Sequence, residues 1–290
     1  MAKLSFGIKT MPQYTTYEDI LRVWREADDI PSYEHAWVFD HFMPIGGMDP
    51  AGPCLEGWTL LAALAAQTER LRLGVMVTGN TYRHPAVLAN MGATVDIIAR
   101  GRLDFGIGAG WNELEHDAYG IPLYKAGERI ARLAEACEVI KRMWTEDAPD
   151  FAGRYYQLKG ARCEPQPVQK PYPPFVIGGS GEQKTLRVVA QYADIWNHSG
   201  PLEEFRHKSQ VLDTHCAAIG RDPASIIRSE QLIVNPLQLE QARETLRGFI
   251  ASGATHLIIY LRAPFPEGIA RRVAGEIIEP LRAEFVAEGH

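Results

Sequence analysis

Short apolar runs alternate with amphipathic stretches along most of this 290-residue chain. The runs have the length of buried strands, and the stretches between them carry apolar residues at helical spacing. In Tyr17–Asp29, for example, Ile20 and Trp24 share one helical face. Strands that alternate with helices predict a parallel sheet, so the pattern indicates an α/β fold. The predicted strands are Lys3–Lys9, His35–Phe39, Leu71–Thr78, Leu103–Ile107, Phe175–Ile177, Asp194–Trp196, Arg228–Val234 and Thr255–Leu261.

Helical stretches follow these strands in turn. Eight strand–helix units of similar size, in about 250 residues, fit a closed (β/α)8 TIM barrel, and a doubly wound open sheet is the alternative. We expect one barrel domain over residues 1–290, with the proline-rich stretch Asp150–Pro174 as an insertion between helix 4 and strand 5 that holds a small hairpin. The predicted helices are Tyr17–Asp29, Leu55–Thr68, Pro85–Ala99, Gly127–Trp144, 182–191, Leu202–Ala218, Leu239–Ala251 and Ile269–Glu284.

Composition narrows the partners of such a barrel. The formal net charge of −6 argues against a nucleic-acid surface. No stretch approaches the roughly 18 apolar residues of a membrane span, and the first residues lack an apolar secretory segment. We therefore expect a cytoplasmic protein without a nucleic-acid or membrane partner. The four cysteines are far apart and the histidines lack metalloprotease spacing, so free thiols are expected and a metal site has no support.

The fourth predicted strand ends in glycines and then in polar side chains. The active sites of barrels lie where the strands end, and glycine lets the backbone approach a ligand closely. An ordinary tight turn would not require the ring, amide, carboxylate and imidazole that follow. The residues in question are Gly108, Ala109, Gly110, Trp111, Asn112, Glu113 and His116.

Two other predicted strands end in polar side chains that could take part in catalysis or binding. Asp40 and His41 follow the second strand, where a carboxylate beside an imidazole can tune a proton donor or acceptor; a capping Asp and a surface His are the alternative. Thr78 and Asn80 follow the third strand and offer a hydroxyl and an amide, or form a plain turn. Arg83 is interpreted as a surface charge.

The fifth strand ends in Gly178, Gly179, Ser180 and Gly181, just before a predicted helix. Glycines that lead into a helix N-terminus form an anion site from backbone N–H groups, so we expect phosphate binding here rather than an ordinary turn. The stretch is not a nucleophile elbow, because position 182 is Glu rather than Gly. A dinucleotide fingerprint at Gly106 is also excluded, because Trp111 replaces its third small residue and a polar loop, not a helix, should follow.

Together these strand ends favour a large planar cofactor with a phosphorylated tail. The motifs also resemble the luciferase-like monooxygenase superfamily, and most closely its branch that uses the deazaflavin coenzyme F420. The resemblance runs nearly end to end, and it is specific as a set. It is carried by Leu73–Asn80, Arg83–Ala86, Gly101–Asn112, Glu115–His116 and Gly120–Pro122, with Asp40–His41 and Gly178–Ser180 in agreement.

The resemblance implies a flavin or deazaflavin at the carboxyl ends of the barrel strands, and frequent homodimers. It implies a non-prolyl cis peptide after strand three, at Val77–Thr78, that supports the cofactor ring. Gly108–Asn112 would line the ring and the tail, and Gly178–Gly181 would hold the phosphate. His41, oriented by Asp40, would lie near the reactive carbon, with Glu113 as a second acid or base.

Three hypotheses follow for the activity. The first is an F420-dependent oxidoreductase that transfers a hydride to or from a small organic substrate. The second is an FMN-dependent monooxygenase that uses reduced flavin and O2, and the third is a cofactor-binding protein without turnover. The chain departs from the sugar-phosphate dehydrogenases of the F420 branch, because Arg262 stands largely alone on the last two strands. A sugar phosphate is therefore disfavoured, and the substrate stays open.

Overall fold

A computed structural model of the protein describes residues 3–287. Eleven strands lie in this range, and nine of them belong to one sheet. The strands are β1 (Ser5–Thr10), β2 (His35–Val38), β3 (Arg72–Val75), β4 (Thr78–Gly79), β5 (Phe105–Gly108), β6 (Phe151–Ala152), β7 (Gln157–Leu158), β8 (Phe175–Gly178), β9 (Ile195–His198), β10 (Ile227–Ile233) and β11 (His256–Leu261).

The nine-stranded sheet is all-parallel, in the order β3-β2-β1-β11-β10-β9-β8-β5-β4. Strands β3 and β4 are two parts of one barrel strand, because only Met76 and Val77 separate them. The first part pairs with β2 and the second with β5. The N–H of Asp104, just before β5, donates to the carbonyl of Leu73 at 2.8 Å. The sheet therefore closes on itself, which confirms the predicted (β/α)8 TIM barrel.

Helices cover the outside of the barrel, as the amphipathic pattern predicts. A π turn, Ala274–Ile278, divides the last predicted helix into two, and a short 3₁₀ turn, Pro223–Ser225, precedes β10. None of the described helices has both the length and the apolar character needed to cross a membrane. The helices are α1 (Tyr17–Asp28), α2 (Gly57–Ala65), α3 (Pro85–Ile98), α4 (Glu113–Tyr119), α5 (Ala126–Thr145), α6 (Thr185–Tyr192), α7 (Leu202–Ala218), α8 (Leu239–Ala251), α9 (Ile269–Val273) and α10 (Glu279–Ala287).

The sequence interpretation is wrong about two of these helices. The stretch after β5 is the helix α4 rather than a polar loop. It begins after Asn112, carries Glu113 and Glu115 in its first turn, and ends at Gly120 with a left-handed φ of 64°. With seven residues it is too short to show a helical period. Helix α6 begins at Thr185 rather than near 182, because residues 182–184 form a turn.

The proline-rich insertion contains the small hairpin that the sequence predicts. Strands β6 and β7 pair antiparallel, with Phe151 opposite Leu158. The carboxylate of Glu135 on α5 accepts three backbone N–H groups of the hairpin turn, from residues 154 to 156, at 2.8–3.2 Å. These bonds fix the hairpin against α5 and bring Tyr156 beside the loop that follows β4, where Asn80 donates to its hydroxyl.

The interior of the barrel is filled by an apolar layer that separates its two ends. The layer consists of side chains from β2, β8, β9 and β11 and the bulge after β3, and all are buried. A packed interior leaves the carboxyl ends of the strands as the place where the barrel can open to a ligand. The residues of the layer are Trp37, Met76, Val176, Ile195 and Ile258.

Candidate active site

A cavity of about 580 Å³ lies at the carboxyl ends of the barrel strands. Its volume falls within the range of small-molecule sites. Its lining includes both Asp40 and His41 and most of the residues that the sequence predicts for a cofactor. The predicted cofactor residues that line it are Val77, Thr78, Gly108, Ala109, Gly110, Trp111, Gly178, Gly179 and Ser180.

Three other predicted cofactor residues do not line this cavity. Asn80 is buried, and its side-chain amide donates to the hydroxyl of Tyr156 at 3.1 Å. Asn112 is the N-cap residue of α4, and Gly181 lies beyond the cavity wall, with its backbone close to Thr185. These residues shape the loops around the cavity rather than its surface.

The geometry corrects the choice of carboxylate on α4. Glu113 is exposed in the first turn of the helix and does not line the cavity. Glu115 is fully buried, and its Oε2 lies 2.8 Å from Nδ1 of His41. The imidazole of His116, also buried, holds the helix by bonds to Thr81 and to the carbonyl of Asn112. Because α4 packs on the face of residues 115 and 116, Glu113 is turned outward.

Glu115 holds His41 within a hydrogen-bonded cluster. The hydroxyl of Tyr82 and the backbone N–H of Phe42 also donate to the Glu115 carboxylate. Burial alone would raise the pKa of Glu115, but these bonds and the one from His41 outweigh it, so the pKa lies below the usual value. An ionised carboxylate can only accept, so Nδ1 of His41 carries the proton. Nε2 is therefore the nitrogen that can take up or give a second proton.

The resemblance implies that Asp40 orients His41, but in the structure Asp40 has a different partner. Its buried carboxylate forms a two-pronged ion pair with Arg83, at 2.5 and 3.0 Å, and Arg83 also contacts Glu56 at 2.5 Å. Burial raises the pKa of Asp40, and the ion pair with Arg83 offsets this only in part. Arg83 is consequently a largely buried partner of Asp40 rather than a surface charge.

The third barrel strand contains a non-prolyl cis peptide, but at Met76–Val77 rather than at Val77–Thr78. Pairing with β2 continues through the N–H of Met76, and pairing with β5 resumes at Thr78, so the change of partner falls one residue earlier than expected. The Val77 side chain then lies against two glycines. A Cβ on Gly108 would lie 2.8 Å from Val77, and one on Gly178 would lie 3.2 Å from it. Glycine at both positions keeps this wall of the cavity flat.

The turn after β8 continues this wall of the cavity, because it follows directly on Gly178. Gly179 has a φ of +125°, which side-chain-bearing residues rarely adopt, and its carbonyl accepts the indole N–H of Trp196 at 2.8 Å. Arg129 of α5 lines the cavity as well. Its Nη1 donates to a backbone carbonyl, whereas its buried Nε has no hydrogen-bond partner among residues 3–287. A fixed glycine turn and a guanidinium that has no carboxylate partner within this described range suit an anion.

Several residues that line the cavity have no role predicted from the sequence. They include Lys9, Tyr82, Arg129 and Tyr260. A lysine that ends the apolar run Phe6–Ile8 was the available signal for Lys9, because a charged residue there must point into the barrel mouth or out to solvent. For Arg129, on an amphipathic helix, no local signal distinguishes it from a surface residue.

Two curated relatives match this chain in part. It is 32% identical over 193 residues to an F420-dependent glucose-6-phosphate dehydrogenase of Amycolatopsis mediterranei (strain U-32), which covers 66% of this chain and 54% of that enzyme. It is 39% identical over 153 residues to an enzyme of the same description from Kineococcus radiotolerans, which covers 52% of this chain and 44% of that enzyme. The chain spans about half the length of these curated relatives.

The fold is also that of a known structure, an F420-dependent secondary alcohol dehydrogenase in complex with an F420-acetone adduct. The two superpose with a TM-score of 0.83 at 18% identity, over 96% of this chain and 99% of the other. A family model described as luciferase-like monooxygenase matches residues 2–281 and confirms the resemblance inferred from the motifs. The chain belongs to the luciferase-like monooxygenase family.

Proposed function

We propose that this protein is an F420-dependent oxidoreductase that transfers a hydride between the deazaflavin and a small organic substrate. The observation that carries the proposal is that His41, which is held by Glu115, and the glycine turn at Gly178–Ser180 line one cavity. A proton-transfer group and an anion site on one cavity are what a phosphorylated redox cofactor requires. The two curated relatives described above are F420-dependent by name.

The residues present fit such a cofactor. The flat wall formed by Val77, Gly108 and Gly178 would support a planar ring. The amide of Ser180 would bind the phosphate with the guanidinium of Arg129, since the N–H of Gly179 already donates to the carbonyl of Asn197 at 3.4 Å. Trp111 is 59% exposed, and its ring centroid lies 5.7 Å from that of His41, so its indole is available at the rim. When bound, the deazaflavin supplies a ring carbon that gives or accepts a hydride.

His41 would move the proton that accompanies the hydride. When an alcohol is oxidised to a carbonyl, the hydroxyl proton goes to Nε2 of His41, and the resulting positive charge is stabilised by Glu115 at Nδ1. Burial raises the pKa of Tyr82, so its phenol stays protonated and continues to donate to Glu115. In the reverse direction the same Nε2 donates to the developing alkoxide.

An FMN-dependent monooxygenase is the alternative, because the matching family is described as luciferase-like monooxygenase. A turnover assay distinguishes the F420-dependent oxidoreductase from the FMN-dependent monooxygenase. With F420 and a panel of primary and secondary alcohols and their carbonyl counterparts, we expect the deazaflavin absorbance to change without oxygen uptake. His41→Asn should lower kcat/KM by about 10²–10⁴-fold and leave F420 affinity unchanged. Oxygen uptake with reduced FMN, and no turnover with F420, would contradict the proposal.

The homodimer and the cytoplasmic location expected from the sequence stay predictions. Sedimentation of the purified protein tests the first, and fractionation of the producing cells tests the second.

A further inference from the structure

Lys9, near the end of β1, has its ammonium at the floor of the cavity. The residue is 5% exposed and lines the cavity on the side of the first two strands. Its Nζ donates to Oε1 of Gln231 at 2.8 Å and lies 4.6 Å from the ring centroid of Tyr260. Among residues 3–287 no carboxylate forms an ion pair with it, and burial lowers the pKa of Lys9 to about 7.

A chain of hydrogen bonds fixes the acceptor of Lys9. The amide of Gln231 donates to Asn197 at 3.2 Å, and the amide of Asn197 donates to the hydroxyl of Ser229 at 3.0 Å. The hydroxyl of Ser229 lies 2.8 Å from Nδ1 of His256, and burial lowers the pKa of His256 to about 3, so this ring is neutral. Because the amide nitrogen of Gln231 donates to Asn197 and an ammonium can only donate, Gln231 presents its carbonyl oxygen to Lys9. Two N–H groups of the ammonium have no acceptor among the described residues.

The position of Lys9 around the barrel separates it from the anion site. With β3 and β4 counted as one barrel strand, β1 is the fourth neighbour of β8 in either direction. The ammonium on β1 therefore faces the turn after β8 across the cavity. Strand β2, which leads to His41, is the direct neighbour of β1. Lys9 consequently lies on the side of the proton-transfer group, and not beside the phosphate turn.

The other charges on this cavity are already compensated or lie elsewhere. Asp40 is paired with Arg83, His41 is bonded to Glu115, and Nδ1 of His198 lies 2.6 Å from Oε2 of Glu230. Arg129 belongs to the phosphate side. One buried ammonium balances one negative charge, whereas a phosphate dianion on it would leave an excess charge in a poorly solvated place.

We propose that Lys9 binds a carboxylate of the substrate, and that the substrate is therefore a small organic acid whose reacting carbon lies within reach of His41. The reaction in which this acid takes part rests on the proposed function, but the charge recognition does not. The acid supplies the counter-charge that the cavity floor lacks, and Gln231 keeps the ammonium in place to receive it.

Calorimetric titration with a matched pair of probes tests this assignment. Hexanoate and hexanamide differ in charge and little in shape. In F420-saturated wild-type protein we expect hexanoate to bind at least about ten-fold more tightly than hexanamide. Lys9→Met should abolish the preference, and Lys159→Met, which removes an exposed lysine of the insertion, should keep it. Equal affinities in the wild type, or a preference that survives in Lys9→Met, would overturn the assignment.

Two further measurements separate this inference from the proposed function and from misfolding. If the wild type fails to bind F420, the proposed function is wrong. The same titration without F420 still measures the preference of the protein for hexanoate over hexanamide. Lys9→Met should bind F420 as the wild type does and unfold no more easily. If it does not fold, Lys9→Gln serves in its place, with the same two outcomes deciding the assignment.

Discussion

Replacing Lys9 by methionine should stabilise the protein at pH 6, and this stabilisation should be lost as the pH rises to 9. The pKa of Lys9 is lowered from 10.5 to about 7 by burial, so folding disfavours its protonated form. The unfolded chain binds more protons than the folded one between these two values, so wild-type stability rises with pH in this window. At about 1.4 kcal/mol for each pKa unit, the buried lysine costs about 5 kcal/mol at pH 6 and about 2 kcal/mol at pH 9.

Lys9→Met removes this pH-dependent cost and adds a constant one. The acceptor of Gln231 loses its donor, which costs about 1–3 kcal/mol at either pH. The difference in unfolding free energy between Lys9→Met and the wild type should therefore fall by about 3 kcal/mol from pH 6 to pH 9. Urea denaturation followed by tryptophan fluorescence measures it, with Lys159→Met as the control that should show no such change. A difference that is the same at both pH values would refute the reasoning.

Three other changes test the remaining parts of the site. Arg83→Met should lower the unfolding free energy at neutral pH by about 3–5 kcal/mol, because it leaves Asp40 buried without a partner; denaturation that matches the wild type would contradict this. Glu115→Gln should lower kcat/KM by on the order of 100-fold in the F420 assay with unchanged F420 affinity, because only the charge beside the imidazole is lost; an unchanged rate would remove Glu115 from the mechanism. Gly179→Ala places a Cβ 3.0 Å from Thr185 at a φ of +125°. It should weaken F420 about ten-fold in a fluorescence titration but leave the phosphate-free deazaflavin chromophore unaffected, and equal losses for both would place the phosphate elsewhere.

Much of the architecture is local in the sequence and could be predicted from it. The apolar runs locate all the barrel strands to within a few residues, because a strand buried on both faces must be apolar. The glycines at 108, 178 and 179 mark cavity-lining turns, since a close approach of backbone requires them wherever the chain goes next. The insertion is recognisable from its prolines, and its hairpin forms as expected.

The partners of the charged residues could not be predicted, because they depend on contacts distant in sequence. Arg83 reaches Asp40 across 43 positions, and Lys9 reaches Gln231 across 222. Glu113 and Glu115 differ only in which side of a seven-residue helix they occupy, and the packing of α4 decides this. A single sequence states the residue types at the mouth of a barrel, but the closure of the sheet determines which of them meet.

The affinity of the purified protein for F420 and for FMN tests the central claim most directly. Fluorescence titration under identical conditions gives both dissociation constants without knowledge of the substrate. We predict a micromolar or tighter constant for F420 and a constant at least about 100-fold weaker for FMN. Micromolar binding of FMN together with no measurable binding of F420 would contradict the account.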